Sequence, residues 1–375
     1  MTKHIPHFEV LRGVAALWVL ISHVLLIVNL PVKYLSNGGQ AVELFVILSG
    51  FVIALMRSND EETYGVYIFR RWARLYPLFL IALLYGGTTD HLYAPVFGVS
   101  PWIETVRSGF QTRELNLTEN YWEHLLLHIT MLHGVVPDTI LPQAAVTFSG
   151  PLWSISLEWQ FYLIAPFLIG VISFATVRSI MVAVIVIAAT LILDKVTRLY
   201  WVGEVPSFLP VRLPLFVVGI LSAALWNRAR ATSPTLLAVC VAISFFAALQ
   251  LSSNKLPLLM WFATYYVAAI HEKLALARWL NRVISSTAPR FVGRVSYGLY
   301  VLHVPTMMLI TYYLIIPALG SYNQLVAGTA IFVATTAVTL GLAHLSFKFI
   351  ETPVIRWARR STLQRKEISQ KEAAS

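Results

Sequence analysis

The chain has 375 residues, of which 57% are hydrophobic and only 12% are charged, with a mean hydropathy of +0.70. This composition is far too apolar for a soluble chain and indicates a polytopic α-helical membrane protein. In a soluble protein the net charge of +10 would favour nucleic-acid binding. Here the basic residues are expected to set membrane topology instead, and no nucleic-acid partner is expected. The single cysteine, Cys240, excludes a disulfide framework and a cysteine-rich metal site.

Ten apolar windows reach or approach the roughly 20 residues that a bilayer span requires. They lie near residues 10–30, 41–56, 73–88, 152–173, 179–194, 209–226, 235–251, 257–271, 291–316 and 324–346. Basic clusters follow every second window, which predicts an all-α bundle of about ten transmembrane helices with both termini in the cytoplasm. Lys195, Arg198 and Arg212 are exceptions, because this topology places their loop outside. The expected location is a multi-pass position in the cell membrane, most naturally the bacterial cytoplasmic membrane.

One integral-membrane domain is expected over residues 1–356, followed by a polar, basic cytoplasmic tail over residues 357–375. The apolar segment 121–136 is ambiguous, because it could count as an eleventh span. An eleventh crossing would move one of the basic ends outside, so a re-entrant or interfacial helix in a long external region is predicted. The first window carries no small-residue cleavage site and is expected to stay attached.

Two ionisable side chains, Arg12 and His23, lie inside the first apolar window. An arginine at the centre of a membrane helix costs about 2.5–3.5 kcal/mol, so such a residue indicates a functional site. A step of eleven residues turns a helix through three circles plus about 20°, which puts both side chains on one face about 16 Å apart along the axis. The first helix is therefore predicted to carry a polar track.

The predicted topology separates the polar residues into an inner and an outer layer. Arg12 enters near the inner surface, where Arg71 and Arg74 lie three apart on one helical face. These arginines fit phosphate oxygens, although a flank that sets topology and meets lipid phosphates is the alternative. The outer layer is expected to contain His23, Glu43, Trp153, Ser154, Ser156 and Glu158.

Six sequence blocks carry a resemblance that goes beyond composition. In chain order they are FEVLRGVAALWVLISH, VELFVILSGFVIAL, FRRWARLYPLF, GPLWSISLEWQFYLIAP, VGRVSYGLYVLHVP and SFKFIETPVIR. Together they resemble the acyltransferase family 3 of integral-membrane acyltransferases over residues 8–356. The resemblance implies transfer of an acyl group, commonly acetyl, from cytoplasmic acyl-CoA to a hydroxyl of a carbohydrate or glycolipid acceptor at the membrane.

On this resemblance the family's Arg-x10-His pair falls on Arg12 and His23, and its Arg-x-x-Arg pair falls on Arg71 and Arg74. The three arginines would hold the CoA phosphates while the thioester reaches His23. His23 is predicted to be the general base for the acceptor hydroxyl. A covalent acyl-His23 intermediate is the competing mechanism, and the sequence does not separate the two.

Two acidic residues, Glu43 and Glu158, are predicted to be catalytic, with one of them bonded to the second ring nitrogen of His23. Both blocks depart from the family pattern: the usual Gly-Val-Asp reads Ala-Val-Glu and ends at Glu43, and the usual second acid after Glu158 is Trp159. Substrate contacts are expected from Trp153, Ser154 and Ser156.

No metal site is expected, because nothing completes the spacing of His124 and His128. His303 has two interpretations, a hydrogen bond between helices or a role in the site. A transporter or flippase for an anionic or glycan substrate is the alternative function, since buried ionisable residues also mark substrate pathways. The acceptor, the acyl chain and the oligomeric state stay open at this point.

Overall fold

The computed structural model describes residues 5–57, 62–172, 177–249 and 254–372, and these residues form helices and connecting turns without any strand. The α-helices are α1 (Pro6–Ile27), α2 (Gly38–Arg57), α3 (Tyr64–Thr89), α4 (Ser108–Glu119), α5 (Tyr121–Ile129), α6 (Leu152–Val171), α7 (Val177–Tyr200), α8 (Leu209–Ala224), α9 (Trp226–Ala231), α10 (Pro234–Ala248), α11 (Lys255–Ile270), α12 (Ala275–Ile284), α13 (Thr287–Arg294), α14 (Ser296–Ile310), α15 (Ile316–Leu319), α16 (Gln324–Ser346) and α17 (Thr352–Glu372). Short π-helical turns lie at Ala94–Gly98, Thr311–Ile315 and Phe347–Glu351.

Five helical stretches in the described part of the chain are long and apolar enough to cross a membrane. They are Pro6–Ile27, Gly38–Arg57, Leu152–Val171, Ser296–Leu319 and Gln324–Leu363. Three shorter apolar helices, α8, α10 and α11, accompany them. The prediction of an all-α membrane protein is confirmed, whereas the count of ten spans and the position of the termini stay predictions.

Several predicted window boundaries differ from the structure, and two of the differences change how the helices connect. The window 291–316 is interrupted, because α13 ends at Arg294 and α14 begins at Ser296. The window that was expected to end at residue 346 continues through a π-helical turn into α17, past residue 356. Ala358 and Thr362 are buried, and Arg70 of α3 donates two hydrogen bonds to the Thr362 hydroxyl. The first turns of the predicted tail therefore pack against the helical bundle.

The region between α3 and α6 contains a cluster of buried histidines. The helix α5 has nine residues and is about 13 Å long, too short to cross a bilayer. His124, His128 and His133 are all fully buried, and the rings of His128 and His133 stack with centroids 3.9 Å apart. Burial lowers the pKa of His124 and His133 to about 4, so this cluster is uncharged near neutral pH. Among the described residues, no group of three or more His, Cys, Asp or Glu side chains could hold a metal ion.

Two glycines bring the backbones of α2 and α8 into close contact. A Cβ atom on Gly50 would lie 2.2 Å from the Phe216 carbonyl oxygen, and one on Gly219 would lie 2.1 Å from the Ile47 carbonyl oxygen. Small residues at membrane helix interfaces allow this backbone contact. The contact holds α2 in place beside α1 and thereby supports the cavity described below.

We expect Gly219→Ala to lower the free energy of unfolding by about 1–3 kcal/mol, because the added methyl group meets backbone that cannot rotate away. The matched control is Gly341→Ala on α16, where a Cβ atom meets nothing within 4 Å. Thermal unfolding of both purified variants in the same detergent measures the difference. Equal transition temperatures for the two variants would contradict the close contact between α2 and α8.

Candidate active site

Three arginines, Arg12 from α1 and Arg71 and Arg74 from α3, line one central cavity of about 330 Å³. Arg71 and Arg74 face it together because residues three apart share a helical face. The structure thus brings the predicted arginine group together. Arg71 is buried, and its Nε atom has no hydrogen-bond partner. In the described part of the chain, no carboxylate lies within ion-pair distance of these three guanidinium groups.

Glu158 lines this central cavity together with the arginines that the sequence analysis assigned to the inner layer. It lies almost two turns into α6 and so reaches the level of the arginines. Its Oε1 atom accepts hydrogen bonds from the Ser49 hydroxyl at 2.8 Å and from the Tyr162 hydroxyl at 2.5 Å. The expected hydrogen bond from Glu158 to His23 is therefore wrong.

A second cavity of about 390 Å³ shares Arg12 and Arg74 with the first and lies at the N-terminal end of α1. It adds Arg294, an exposed residue at the end of α13. The backbones of α1 and α13 touch here, since a Cβ atom on Gly293 would lie 2.4 Å from the Glu9 carbonyl oxygen. The sequence analysis missed Arg294 because the basic loop before it was interpreted as a topology signal.

His23 does not line either cavity and is paired with a second histidine. Its Nδ1 atom lies 3.0 Å from Nε2 of His303 on α14. The Nδ1 atom of His303 lies 2.6 Å from the backbone carbonyl oxygen of Tyr300. The side chain of Tyr300 lines the central cavity. His23 is thus connected to the central cavity through two residues of α14, His303 and Tyr300.

Glu43 occupies a separate polar contact near the N-terminal end of α2. Its Oε1 atom accepts hydrogen bonds from Arg212 Nη1 and from Asn254 Nδ2, both at 2.8 Å. The carboxylate is 1% exposed, so a charged partner is needed to offset its burial. The expected hydrogen bond from the His23 ring to Glu43 is wrong, because the Glu43 carboxylate pairs with Arg212.

The three predicted substrate residues are not brought together. Ser154 lines the central cavity and donates a hydrogen bond to the Tyr300 hydroxyl at 2.8 Å. Ser156 is fully buried, and its hydroxyl accepts from the Gly134 N–H at 3.0 Å. Trp153 is buried and is absent from the lining of both cavities. Ser156 therefore attaches the region between α3 and α6 to the start of α6, and substrate contacts of Trp153 and Ser156 stay predictions.

Tyrosines add hydroxyl groups to the central cavity that the sequence analysis did not single out. Tyr162, Tyr297 and Tyr300 all line it. Their spacing could have revealed them, because Tyr162 follows Glu158 by four residues and Tyr297 precedes Tyr300 by three. The Tyr300 hydroxyl donates to the Pro151 carbonyl oxygen at 3.1 Å. The cavity therefore combines arginine side chains with tyrosine hydroxyls from α6 and α14, and each of these hydroxyls donates a hydrogen bond to a protein oxygen.

A family model described as an acyltransferase domain, that of the acyltransferase family 3, matches residues 5–344. The chain is 24% identical over 374 residues to the peptidoglycan O-acetyltransferase OatA of Listeria monocytogenes and 22% identical over 381 residues to the O-acetyltransferase OatA of Staphylococcus aureus strain NCTC 8325. These alignments cover 94% of this chain but only 56% and 57% of the relatives, so the chain spans little more than half the length of the curated relatives it matches. No solved structure matches the chain. The family match over most of its length, on a membrane helical bundle with this cavity, shows that the chain belongs to the acyltransferase family 3.

Proposed function

We propose that this protein transfers an acetyl group from cytoplasmic acetyl-CoA to a hydroxyl of a carbohydrate acceptor at the membrane, with His23 as the general base. The observation that carries the proposal is the central cavity, which three arginines and one carboxylate, Glu158, line together. Three cations facing one carboxylate leave an excess of positive charge in a partly dry cavity, which favours an anionic ligand. The acetyltransferase names of the two relatives support the same reaction class.

The donor would bind with its phosphates on the arginines. A guanidinium group presents a planar fork that matches phosphate oxygens, and such charge-assisted hydrogen bonds are strong in a partly dry cavity. Arg12 and Arg74 line both cavities, so the donor phosphates could pass from the cavity at the N-terminal end of α1 to the central cavity along these two arginines. The pantetheine arm would extend from there toward His23.

The transfer itself needs one proton acceptor and one leaving group. Neutral His23 takes the proton of the acceptor hydroxyl while the hydroxyl oxygen attacks the thioester carbonyl carbon. The carbon–sulfur bond then breaks, and the CoA sulfur takes the proton back from the imidazolium, which leaves an O-acetyl ester and free CoA. A covalent route would instead place the acetyl group on His23 first. Labelled acetyl enzyme that accumulates without acceptor would select the covalent route.

The acceptor class follows from the relatives and from the membrane setting. One relative is named for peptidoglycan, and we propose a surface carbohydrate or glycolipid for this chain without choosing a specific glycan. The proposed location is the bacterial cytoplasmic membrane with both termini inside, so that the donor arrives from the cytoplasm and the acceptor from the outside.

The direct test uses the purified full chain in lipid nanodiscs with radiolabelled acetyl-CoA and a panel of glycans that includes peptidoglycan fragments, lipopolysaccharide and chitin oligosaccharides. We expect acceptor-dependent release of CoA and a glycan heavier by one acetyl group in mass spectrometry. Intact acetyl-CoA binding with no release across the panel would contradict the transferase. Uptake of a labelled glycan into proteoliposomes without acetylation would favour the flippase.

Arg294 lines the second cavity, through which the donor is proposed to enter, so its substitution tests that path. We expect Arg294→Gln to raise the KM for acetyl-CoA about twofold to fivefold, the range of an exposed charge contact. Arg290→Gln, an exposed position on the same helix α13 outside the lining of this cavity, is the control and should leave the KM unchanged. Steady-state kinetics at low ionic strength measure both. An equal KM in the two variants would remove Arg294 from the donor path.

A further inference from the structure

We propose that His303 is a positioning residue that holds His23 in the tautomer with the proton on Nδ1, so that Nε2 of His23 carries the free electron pair. Its part in acetyl transfer rests on the function proposed above, but the tautomer itself does not. The observation behind it is a chain of two hydrogen bonds that ends at a backbone carbonyl.

The first link fixes the proton on His303. Its Nδ1 atom lies 2.6 Å from the carbonyl oxygen of Tyr300, one turn earlier on α14. A carbonyl oxygen can only accept a hydrogen bond, so Nδ1 of His303 is the donor and carries hydrogen. The backbone of the helix therefore selects this tautomer without help from any other side chain.

The second hydrogen bond, between His303 and His23, fixes the position of the proton on His23. His303 is fully buried, and none of its hydrogen bonds in the described part of the chain goes to a carboxylate, so the neutral ring is favoured. In the neutral ring, Nε2 has no hydrogen once Nδ1 has one, and it can only accept. His23 Nδ1 lies 3.0 Å away and is therefore the donor. It follows that Nε2 of His23 is the unprotonated nitrogen.

This arrangement performs the orienting task that a buried carboxylate performs in serine-protease triads. A carboxylate between membrane helices would need its own counter-ion, whereas a neutral imidazole adds no charge. The edge of the His23 ring also contacts Phe97, with ring centroids 6.4 Å apart. The ring is held on two sides, and its Nε2 atom is ready to take a proton from a hydroxyl.

The tautomer is measured directly by ¹⁵N NMR on the full chain in nanodiscs with ¹⁵N-labelled histidine. His23→Gln and His303→Gln assign the two sets of signals. We expect both rings to carry hydrogen on Nδ1 near neutral pH. A His23 ring with hydrogen on Nε2 would overturn the proposal whether or not the protein transfers acetyl groups. Two Nδ1–H rings in a protein that transfers nothing would instead count against the proposed function alone.

Kinetics test whether the tautomer serves the reaction. We expect His303→Leu to lower kcat about tenfold to a hundredfold with the KM for acetyl-CoA unchanged. His303→Gln should recover much of this loss, because its side-chain oxygen can accept from His23 Nδ1–H. Met307→Leu controls for repacking at a fully buried neighbour on α14. A His303→Gln variant that is folded and no better than His303→Leu would overturn the positioning role.

Discussion

His23→Ala should lower the kcat for acetyl transfer by about 10²–10⁴-fold, the usual contribution of a general base. The expected cause is loss of the only proposed proton acceptor, while the arginine cavity that binds the donor stays intact. Binding of labelled acetyl-CoA to the variant should therefore equal binding to the unaltered protein. Single-turnover transfer to the acceptor found in the glycan panel, followed by mass spectrometry, measures the loss.

The control for this change is His91→Gln, which alters an exposed histidine on the turn Asp90–Leu92. It should leave transfer within about twofold of the unaltered protein, as surface substitutions usually do. Transfer at the normal rate by a folded His23→Ala variant would reject both the general-base route and the acyl-histidine route. Loss of donor binding together with transfer would assign His23 to packing of the bundle.

Arg71→Gln and Arg74→Gln should each raise the Kd for acetyl-CoA about tenfold to a hundredfold, because a hydrogen bond to a charged group contributes about 1.5–3 kcal/mol. Removing either guanidinium group leaves a donor phosphate without its partner in the central cavity. The kcat at saturating donor should change little, since neither residue contacts His23 in the structure.

Arg70→Gln is the matched control on the same helix. Arg70 pairs with Glu62 at 2.8 Å and bonds Thr362 of α17, on a different face of α3 from the cavity. Equilibrium binding of acetyl-CoA, measured without acceptor at several salt concentrations, compares the three variants. Equal affinity in all three would reject the phosphate role and leave the topology interpretation of this basic cluster.

Helix existence could be predicted from the sequence because apolar windows of bilayer length leave few other structures. Helix ends were less predictable. The interruption at Val295 lies between Arg294 and Ser296, so these two polar residues could have marked it in the sequence. The extension beyond residue 346 was missed because polar residues were taken as the end of a span, whereas Arg70 and Thr362 use that polarity to attach α17 to α3.

In the site, contacts between residues of one helix could be predicted from the sequence, whereas contacts between different helices could not. The common face of Arg71 and Arg74 follows from helical periodicity alone. The partner of His23 did not follow, because it depends on how α1 and α14 rotate against each other. The sequence analysis predicted a carboxylate as the hydrogen-bond partner of His23, because carboxylates commonly orient catalytic histidines. In the structure, Glu43 instead pairs with Arg212, and Glu158 accepts from Ser49 and Tyr162.

The continuous helix α1 carries both Arg12 and His23 with no interruption between them. Their axial separation, about 16 Å, is consequently fixed by the number of residues between them and by the helical rise per residue. On the proposed mechanism, this fixed separation selects donors by the length of the thioester arm and not by the identity of the acyl group. Thioesters with truncated arms would be held at one end and never meet the imidazole at the other.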